Sequence, residues 1–329
     1  NSFFSFSFFQ VIKMSIIATT VITTIGLTAL YVNQNKLIYP SWVNNSTKIV
    51  DKPTEFQYPE LLPFFKEEYI TTSDNIKLQL YSFNKPDYTS KKTLLIFRPN
   101  AGNIGHSLPR INYMFHKHDF NVVIWSYRGY GFSEGSPSEI GIKKDSVAVY
   151  DFLLKNKYIT EENTENNINN ESDNINNFDI TGNNVNSNNN NNNKEKKLIL
   201  LGTSIGGAVA VDFAHEYPSH ISSMILENTF LSLSKVIPYV LPWFKYMVPM
   251  CHEKWASEKI IGDLNPDMSL LILNSMKDEV VPPNHSVKLY ELSNSKNKII
   301  RRFRNGYHND IMFQKGYWEV LEEFIDQNI

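Results

Sequence analysis

The chain has 329 residues, of which 42% are hydrophobic and 20% are charged, enough for one large folded domain with additional segments. Its formal net charge of −2 gives no electrostatic argument for binding nucleic acid. Cys251 is the only cysteine, so the chain has neither an internal disulfide nor a cysteine pair for a metal. The sequence contains no H-E-x-x-H motif, phosphate-binding loop or dinucleotide fingerprint. We therefore expect no metal and no cofactor.

The first predicted element is a membrane anchor. Residues 14–32 form a run of nineteen residues without a charged side chain, between Lys13 and Lys36. At about 1.5 Å per residue, a helix of this length nearly spans the hydrocarbon core of a bilayer. A cleaved signal peptide is the alternative, but the run is long for one and no A-x-A site follows it. We predict a retained single-pass anchor in the endoplasmic reticulum or plasma membrane, in either orientation, after an uncertain extension at residues 1–13.

The rest of the chain alternates apolar runs with helical patterns. Strands are predicted at residues 69–72, 76–83, 93–97, 121–125, 197–201, 222–226, 269–273 and 298–303. Helices are predicted between them, including 142–158 and a last helix at 311–325. This alternation predicts an α/β domain at residues 36–329, with a mostly parallel sheet of about eight strands and helices on both faces.

An asparagine-rich tract interrupts the predicted domain at residues 160–196. Asparagine occupies seventeen of the thirty-one positions from 163 to 193. Such a tract buries too little apolar surface to offset the entropy lost on ordering. We therefore predict a disordered, inert insert, with a prion-like interaction role as the alternative.

Residues 230–261 are predicted to form a small helical cap. Pro238, Pro242 and Pro249 interrupt a segment rich in aromatic side chains. Two interpretations fit this pattern equally well. The helices either pack on the core or form a lid that lines an apolar pocket for an acyl chain.

Ser204 is the predicted nucleophile. Residues 202–206 read Gly-Thr-Ser-Ile-Gly, directly after the strand at 197–201 and before a helical pattern that begins at Ile205. A strand, a sharp turn and a helix form a nucleophile elbow, which holds the serine hydroxyl clear of the backbone. A serine needs a base to accept its proton, and in this architecture the order along the chain is Ser, Asp or Glu, then His.

His308 is the predicted base, because it follows the last strand and precedes the last predicted helix. The other histidines after Ser204 lie at less suitable positions, and they are His215, His220, His252 and His285. Asp278 is the predicted acid, since it lies in the loop after the strand at 269–273, at the carboxyl edge of the sheet. Glu227 ends a neighbouring strand at the same edge and is the alternative acid.

The oxyanion hole of such a site consists of two backbone N–H groups. The residue after the nucleophile supplies one of them, which here is Ile205. The loop after the third strand supplies the other, and we assign it to Asn100, with Ala101 as the alternative.

Five stretches of this chain resemble the α/β-hydrolase superfamily, specifically its membrane-anchored Bem46-like branch, which includes the abhydrolase-domain-containing protein thirteen type. They are NAGNIGH at 100–106, YRGYGFSEG at 127–135, SIGGAVA at 204–210, ENTFL at 227–231 and GYHND at 306–310. Two positions depart from the family pattern. Arg98-Pro99 replaces the usual His-Gly, and Ser126 replaces an aspartate.

The resemblance implies a membrane-anchored serine hydrolase that cleaves acyl esters or thioesters. Lipids and S-acylated proteins are the implied substrates, because related members suggest protein depalmitoylation and lysophospholipid hydrolysis. The main alternative is a catalytically inactive scaffold involved in cell morphology, which rests on Arg98-Pro99. A peptidase is disfavoured because no additional domain is predicted to gate the site. The partners expected are thus the membrane and an acyl-bearing substrate, with no nucleic acid and the oligomeric state left open.

Overall fold

Runs of apolar residues become the strands of a single sheet in the computed structural model, which describes residues 2–43, 46–47, 49–160 and 197–329. The predicted asparagine-rich insert at 160–196 lies outside these residues except for Thr160. The strands are β1 (Phe65–Thr71), β2 (Lys77–Phe83), β3 (Lys92–Phe97), β4 (Phe120–Trp125), β5 (Leu198–Thr203), β6 (Ile221–Glu227), β7 (Ser269–Ser275) and β8 (Lys298–Phe303).

The sheet has the order β1-β2-β4-β3-β5-β6-β7-β8. The pairs β1–β2 and β2–β4 are antiparallel, and all other neighbours are parallel. This arrangement confirms the predicted mostly parallel sheet of eight strands. Because strands β3 to β8 run in one direction, the loops that follow them meet at one edge of the sheet.

Helices cover both faces of this sheet. They are α2 (Leu108–Lys117), α3 (Glu139–Lys155), α4 (Ile205–Glu216), α7 (Asn284–Leu292) and α8 (Tyr317–Asn328). The other helices described are α1 (Ser2–Ile38), α5 (Leu233–Val240) and α6 (Ser257–Ile260). Successive side chains of a strand point to opposite faces. Accordingly, Leu95 packs in the cluster that includes α3 and α4, and Leu94 packs in the cluster that includes α2 and α8.

Two predicted helices have different bounds in the structure. The prediction of one helix at 311–325 was wrong, because a short 3-10 turn at Ile311–Phe313 precedes α8. Gly316, with φ of +86°, separates the two. Helix α3 begins earlier than predicted because the Ser138 hydroxyl caps it by accepting a hydrogen bond from the Gly141 N–H at 3.1 Å.

The N-terminal helix α1 is longer than the predicted anchor. Its segment Phe8–Ile38 is long and apolar enough to cross a membrane, and its most apolar stretch is not buried by the rest of the protein. The C-terminal end of α1 is attached to the folded domain. The Gln34 side chain accepts a hydrogen bond from the His252 N–H at 3.0 Å, and the Asn35 side chain donates one to the Pro137 carbonyl at 3.3 Å.

The segment predicted as a cap contains α5, a 3-10 helix at Pro242–Met250 and α6. Tyr39, the residue directly after α1, is buried beneath this segment. Its hydroxyl donates to the Glu253 carboxylate and accepts from the Trp255 indole at 2.7 Å, and burial raises the pKa of Tyr39 above its ordinary value. The end of α1 is thus tied to the base of the cap.

Candidate active site

Ser204 forms a sharp turn between a strand and a helix. Strand β5 ends at Thr203 and helix α4 begins at Ile205, so a single residue makes the change of direction. The backbone of Ser204 has φ of 55° and ψ of −122°, a combination that non-glycine residues rarely adopt. Two hydrogen bonds of 2.8 Å hold it there, from the Ser204 N–H to the Glu227 carbonyl and from the Thr229 hydroxyl to the Ser204 carbonyl.

Gly206 allows the loop after β3 to approach this turn. A Cβ atom at Gly206 would lie 2.2 Å from the carbonyl oxygen of Phe97 and 2.5 Å from that of Arg98. Any larger residue would therefore push the loop after β3 away from the elbow. The second glycine of the predicted elbow is thus required by close packing of the two segments.

The structure brings Ser204, His308 and Asp278 together. The Nε2 atom of His308 lies 3.0 Å from the Ser204 Oγ, and its Nδ1 atom lies 2.8 Å from the Asp278 Oδ2. The three residues are buried, with exposed fractions of 6%, 7% and 2% for Ser204, His308 and Asp278. If Nδ1 donates its proton to the carboxylate, Nε2 has a free lone pair that can accept the serine proton.

The Asp278 carboxylate is fixed by its own loop. Its Oδ1 atom accepts hydrogen bonds from the N–H groups of Val280 at 2.8 Å and Val281 at 2.7 Å. The Asp278 carbonyl accepts a hydrogen bond of 3.0 Å from the hydroxyl of Tyr239, which belongs to helix α5 of the cap. One carboxylate oxygen is therefore held by backbone, and the other faces the imidazole.

Asn228 holds the loop that carries His308, although it was not predicted as a site residue. Its side chain donates to the His308 carbonyl at 3.0 Å and accepts from the Ser275 N–H at 2.8 Å. The His308 N–H donates to the Glu279 carboxylate at 3.1 Å. The only sequence signal for Asn228 was its place in the matching stretch at 227–231.

Glu227, the alternative acid, faces a different partner. It is fully buried, and its Oε2 atom lies 2.7 Å from Arg110 Nη1 and 2.7 Å from the Thr203 hydroxyl. The Tyr317 hydroxyl donates to its other oxygen. Burial alone would lower the pKa of Arg110, but the nearby Glu227 carboxylate raises it above the ordinary value. Asp278, and not Glu227, therefore contacts the imidazole.

The two residues assigned to the oxyanion hole lie in different elements. Ile205 is the first residue of α4, where an N–H group has no acceptor within the helix. Asn100 lies in the loop after β3, and its side chain donates to the Ile38 carbonyl at 3.1 Å. This last contact joins the loop to the C-terminal end of α1.

Arg98 determines how the peptide before Asn100 is oriented. Its Nη1 atom donates to the carbonyl groups of Pro99 at 2.7 Å and Ala101 at 3.3 Å. The C=O and N–H groups of a trans peptide point in opposite directions. Because Arg98 binds the Pro99 carbonyl, the N–H group of Asn100 points away from the guanidinium.

The Arg98 side chain is buried among aromatic rings. Its guanidinium carbon lies 4.2 Å from the ring centre of Tyr130 and 5.2 Å from that of Tyr127. The Tyr127 hydroxyl donates to the Arg98 carbonyl at 3.0 Å, and burial lowers the pKa of Arg98. The arginine that departs from the family pattern is thus buried and stabilises the loop after β3.

Comparisons with known proteins agree with this fold. A family model described as serine aminopeptidase, S33, matches residues 102–270. A relative in Saccharomyces cerevisiae, named as an uncharacterised membrane protein, is 37% identical, and the match covers 96% of this chain and 97% of that protein. Protein bem46 of Schizosaccharomyces pombe is 33% identical, with 98% and 96% covered. The chain is an α/β-hydrolase of the Bem46-like branch.

Solved structures show the same fold at low sequence identity. An esterase of Pyrococcus furiosus superposes with a TM-score of 0.60 at 18% identity, covering 85% of this chain and 95% of that one. An α/β-hydrolase of Vibrio vulnificus gives a TM-score of 0.62 at 15% identity, covering 89% and 90%. At these identities the likeness concerns the fold alone.

Two cavities of this α/β-hydrolase border the loop after β3. One, of about 240 Å³, lies between α1 and the cap and reaches Asn100 and Val280. The other, of about 280 Å³, is more polar and is lined by residues that include Arg98, Thr203 and His308. The loop that holds Asn100 therefore lies between a strongly apolar cavity and one with a more mixed lining.

Proposed function

We propose that this α/β-hydrolase is a membrane-anchored serine hydrolase that cleaves acyl esters or thioesters. The observation that carries the proposal is the unbroken chain of hydrogen bonds from Asp278 through His308 to the hydroxyl of Ser204. The strained backbone of Ser204 supports it further, because strain of this kind concentrates at functional sites.

The first half of the proposed reaction forms an acyl-enzyme. The Ser204 Oγ bonds to the substrate carbonyl carbon while His308 Nε2 accepts the serine proton, and Asp278 stabilises the imidazolium. The N–H groups of Ile205 and Asn100 stabilise the negative oxygen of the tetrahedral intermediate. The bond to the leaving alcohol or thiol then breaks, and His308 returns the proton to that group.

The second half regenerates the enzyme. A water molecule gives a proton to His308 and bonds to the acyl carbon, forming a second tetrahedral intermediate in the same oxyanion hole. The bond to Ser204 Oγ then breaks, and the serine recovers its proton from His308. The products are a carboxylic acid and free enzyme.

The proposed substrates are acyl lipids and S-acylated proteins, because both present an acyl carbonyl attached to an apolar chain. The apolar cavity beside Asn100 supports this class. A panel of palmitoyl thioesters, monoacylglycerols and lysophospholipids tests it. Aminoacyl p-nitroanilides complete the panel, since the matching family model is described as an aminopeptidase.

We further propose that α1 is retained as a single-pass anchor in the endoplasmic reticulum or plasma membrane. The contact of Tyr31 with His252 of the folded domain, with ring centres 5.6 Å apart, supports retention, because Tyr31 lies within the apolar run that cleavage would remove. The S. cerevisiae relative named as a membrane protein supports it too. The full-length protein should pellet with membranes and resist carbonate extraction, and its recovery in the soluble fraction would contradict the anchor.

The nucleophile is tested with a fluorophosphonate probe, which reacts covalently with activated serines. Wild-type protein should be labelled, and Ser204→Ala should not be. Ser222→Ala is a matched control, because Ser222 lies outside the site and its hydroxyl donates to the Leu198 carbonyl at 3.1 Å. Labelling that persists in Ser204→Ala would assign the nucleophile to another residue.

An inactive membrane scaffold is the second candidate, and it rests on Arg98-Pro99 in the loop after β3. Pro99 has no N–H group, but the proposed donor is the next residue, Asn100. The contacts of Arg98 with two loop carbonyls therefore weigh against this candidate. Absence of both probe labelling and hydrolysis across the whole panel would favour the scaffold.

A further inference from the structure

Two helices that are distant in the sequence line opposite sides of the apolar cavity. Its wall on the α1 side consists of Leu30, Tyr31, Gln34, Leu37 and Ile38. Its wall on the cap side includes Leu233, Val236, Ile237 and Val240 of α5, and Leu241, which directly follows that helix. In both sets the lining residues recur three or four positions apart, so each helix presents one continuous face to the cavity. The final turns of the membrane helix are therefore part of the cavity itself.

The inner end of the cavity reaches the proposed catalytic machinery. Asn100, in the oxyanion loop, lines it, and so does Val280, whose N–H group holds the Asp278 carboxylate. Asn100 also bonds the Ile38 carbonyl at the end of α1. Ser204 and His308 do not line this cavity, and His308 lines the other one. A chain lying in the cavity would thus have one end beside the oxyanion loop and the loop of Asp278, and its length along α1.

The outer surface of the cap suits contact with a bilayer. Trp243 is 89% exposed and Tyr246 is 79% exposed, on the 3-10 helix that contributes Phe244 and Met247 to the cavity. Exposed tryptophan and tyrosine side chains are typical of the membrane–water interface. The apolar run of α1 ends at Val32 and is followed by the polar residues 33–36, so in a membrane-anchored protein the cap and the cavity would lie next to the membrane surface.

We propose that this cavity binds the long acyl chain of a membrane-embedded substrate, which enters from the bilayer along α1. The membrane helix is then one wall of the substrate site as well as an anchor. The inference rests on the proposed acyl hydrolase function, and it adds the location of the substrate's acyl chain. The apolar lining matches the acyl chain, and the position of α1 gives the chain a path that avoids water.

Burial of each additional methylene strengthens binding about fourfold. Activity should therefore rise with acyl length until the cavity is filled, and the rise should depend on residues of α1. The measured quantity is the ratio of kcat/KM for p-nitrophenyl palmitate to that for p-nitrophenyl acetate. Full-length protein is assayed in phosphatidylcholine vesicles so that α1 keeps its membrane environment.

Tryptophan substitutions narrow the cavity from either wall. Leu30→Trp on α1 and Ile237→Trp on α5 should each lower the palmitate-to-acetate ratio at least tenfold. The matched controls are Val32→Trp and Tyr246→Trp, since both residues are exposed and neither lines the cavity. Leu30→Ala and Ile237→Ala should move the preferred acyl length upwards. An unchanged ratio in all four lining variants would overturn the proposal.

A binding experiment separates this proposal from the proposed hydrolase function. Palmitic acid with a terminal diazirine is photolysed with full-length Ser204→Ala protein in the same vesicles, and the labelled peptides are identified by mass spectrometry. Labelling within residues 30–38 and 233–251 supports the acyl site, even if wild type hydrolyses no ester. Labelling confined to other segments overturns it, even if esters are hydrolysed. Excess lysophospholipid or palmitoylated peptide as competitor identifies which source of acyl chain the cavity accepts.

Discussion

The catalytic edge of the sheet and the contact between α1 and the cap are built from different interactions. At the edge, Ser204, Asp278 and His308 lie on loops directly after strands and are held by short, buried hydrogen bonds. At the contact, two helix faces enclose an apolar cavity, and polar contacts occur mainly at the end of α1. In the proposed function the edge performs the chemistry, and in the proposed acyl site the contact selects the acyl chain. Substitutions at the edge should change kcat, and those at the contact should change chain-length preference.

The largest effect is expected at the proposed base. His308→Ala removes the acceptor of the serine proton, and loss of a triad member costs about 10⁴-fold or more in kcat. Hydrolysis of p-nitrophenyl butyrate measures this loss, and palmitic acid photolabelling of the cavity should persist. His215→Ala is the control, since His215 is exposed on α4. A decrease of less than tenfold for His308→Ala would assign the base elsewhere.

Substitutions of the two acids at the carboxyl edge should have different effects. Asp278→Asn should mainly change kcat, and Glu227→Gln should mainly change the stability of the fold. Asp278→Asn should lower kcat by about 10⁴-fold, because it favours the wrong imidazole tautomer, and leave the unfolding temperature nearly unchanged. Glu227→Gln leaves the buried charge of Arg110 without a counter-ion and should lower the free energy of unfolding by about 3 kcal/mol. Thermal unfolding and kcat are measured for both variants. A large loss of kcat at full stability for Glu227→Gln would make it the functional acid.

The sheet and the contacting triad could be predicted because their signals are local. Most of the strands are short apolar runs, and the elbow motif, Asp278 and His308 each follow a predicted strand. Strand β1 is an exception, because it is rich in charged residues and begins at Phe65, four residues before the predicted start. The structure confirms the sheet, and it joins Asp278 to His308 in the order that the α/β-hydrolase pattern requires. The catalytic roles of these residues stay a prediction until the variants are measured.

Features that depend on distant contacts could not be predicted. Glu227 looked like a second candidate acid because its partner, Arg110, is 117 residues away in the sequence. The last helix was predicted to begin too early, because nothing in its apolar pattern showed that Gly316 adopts a positive φ. Arg98 was interpreted only as a departure from the family pattern. Its role in the loop depends on two tyrosines that pack over it in the folded protein.

Arg98 is expected to have an intermediate effect. Arg98→Met removes the contact with the Pro99 carbonyl, so the Asn100 N–H is no longer held in one direction. Loss of an oxyanion donor costs about a hundredfold or more in kcat, and KM should change little because the interaction is strongest in the transition state. Separate kcat and KM values are measured, with Arg304→Met as the control at an exposed arginine. An unchanged kcat would show that the donor does not depend on Arg98.

The smallest effect is expected at Asn100, where the catalytic edge meets α1. If its backbone N–H is the donor, the side chain matters only through its bond to the Ile38 carbonyl. A hydrogen bond of this kind contributes about 0.5–1.5 kcal/mol, so Asn100→Ala should lower kcat by about two- to tenfold. That loss is smaller than those expected for His308→Ala and Arg98→Met, and kcat on p-nitrophenyl butyrate orders the three variants. A loss as large as that of His308→Ala would mean that the Asn100 side chain itself contacts the reacting oxygen. A measurable loss within the expected range would instead show that the end of the membrane helix helps to hold the catalytic loop.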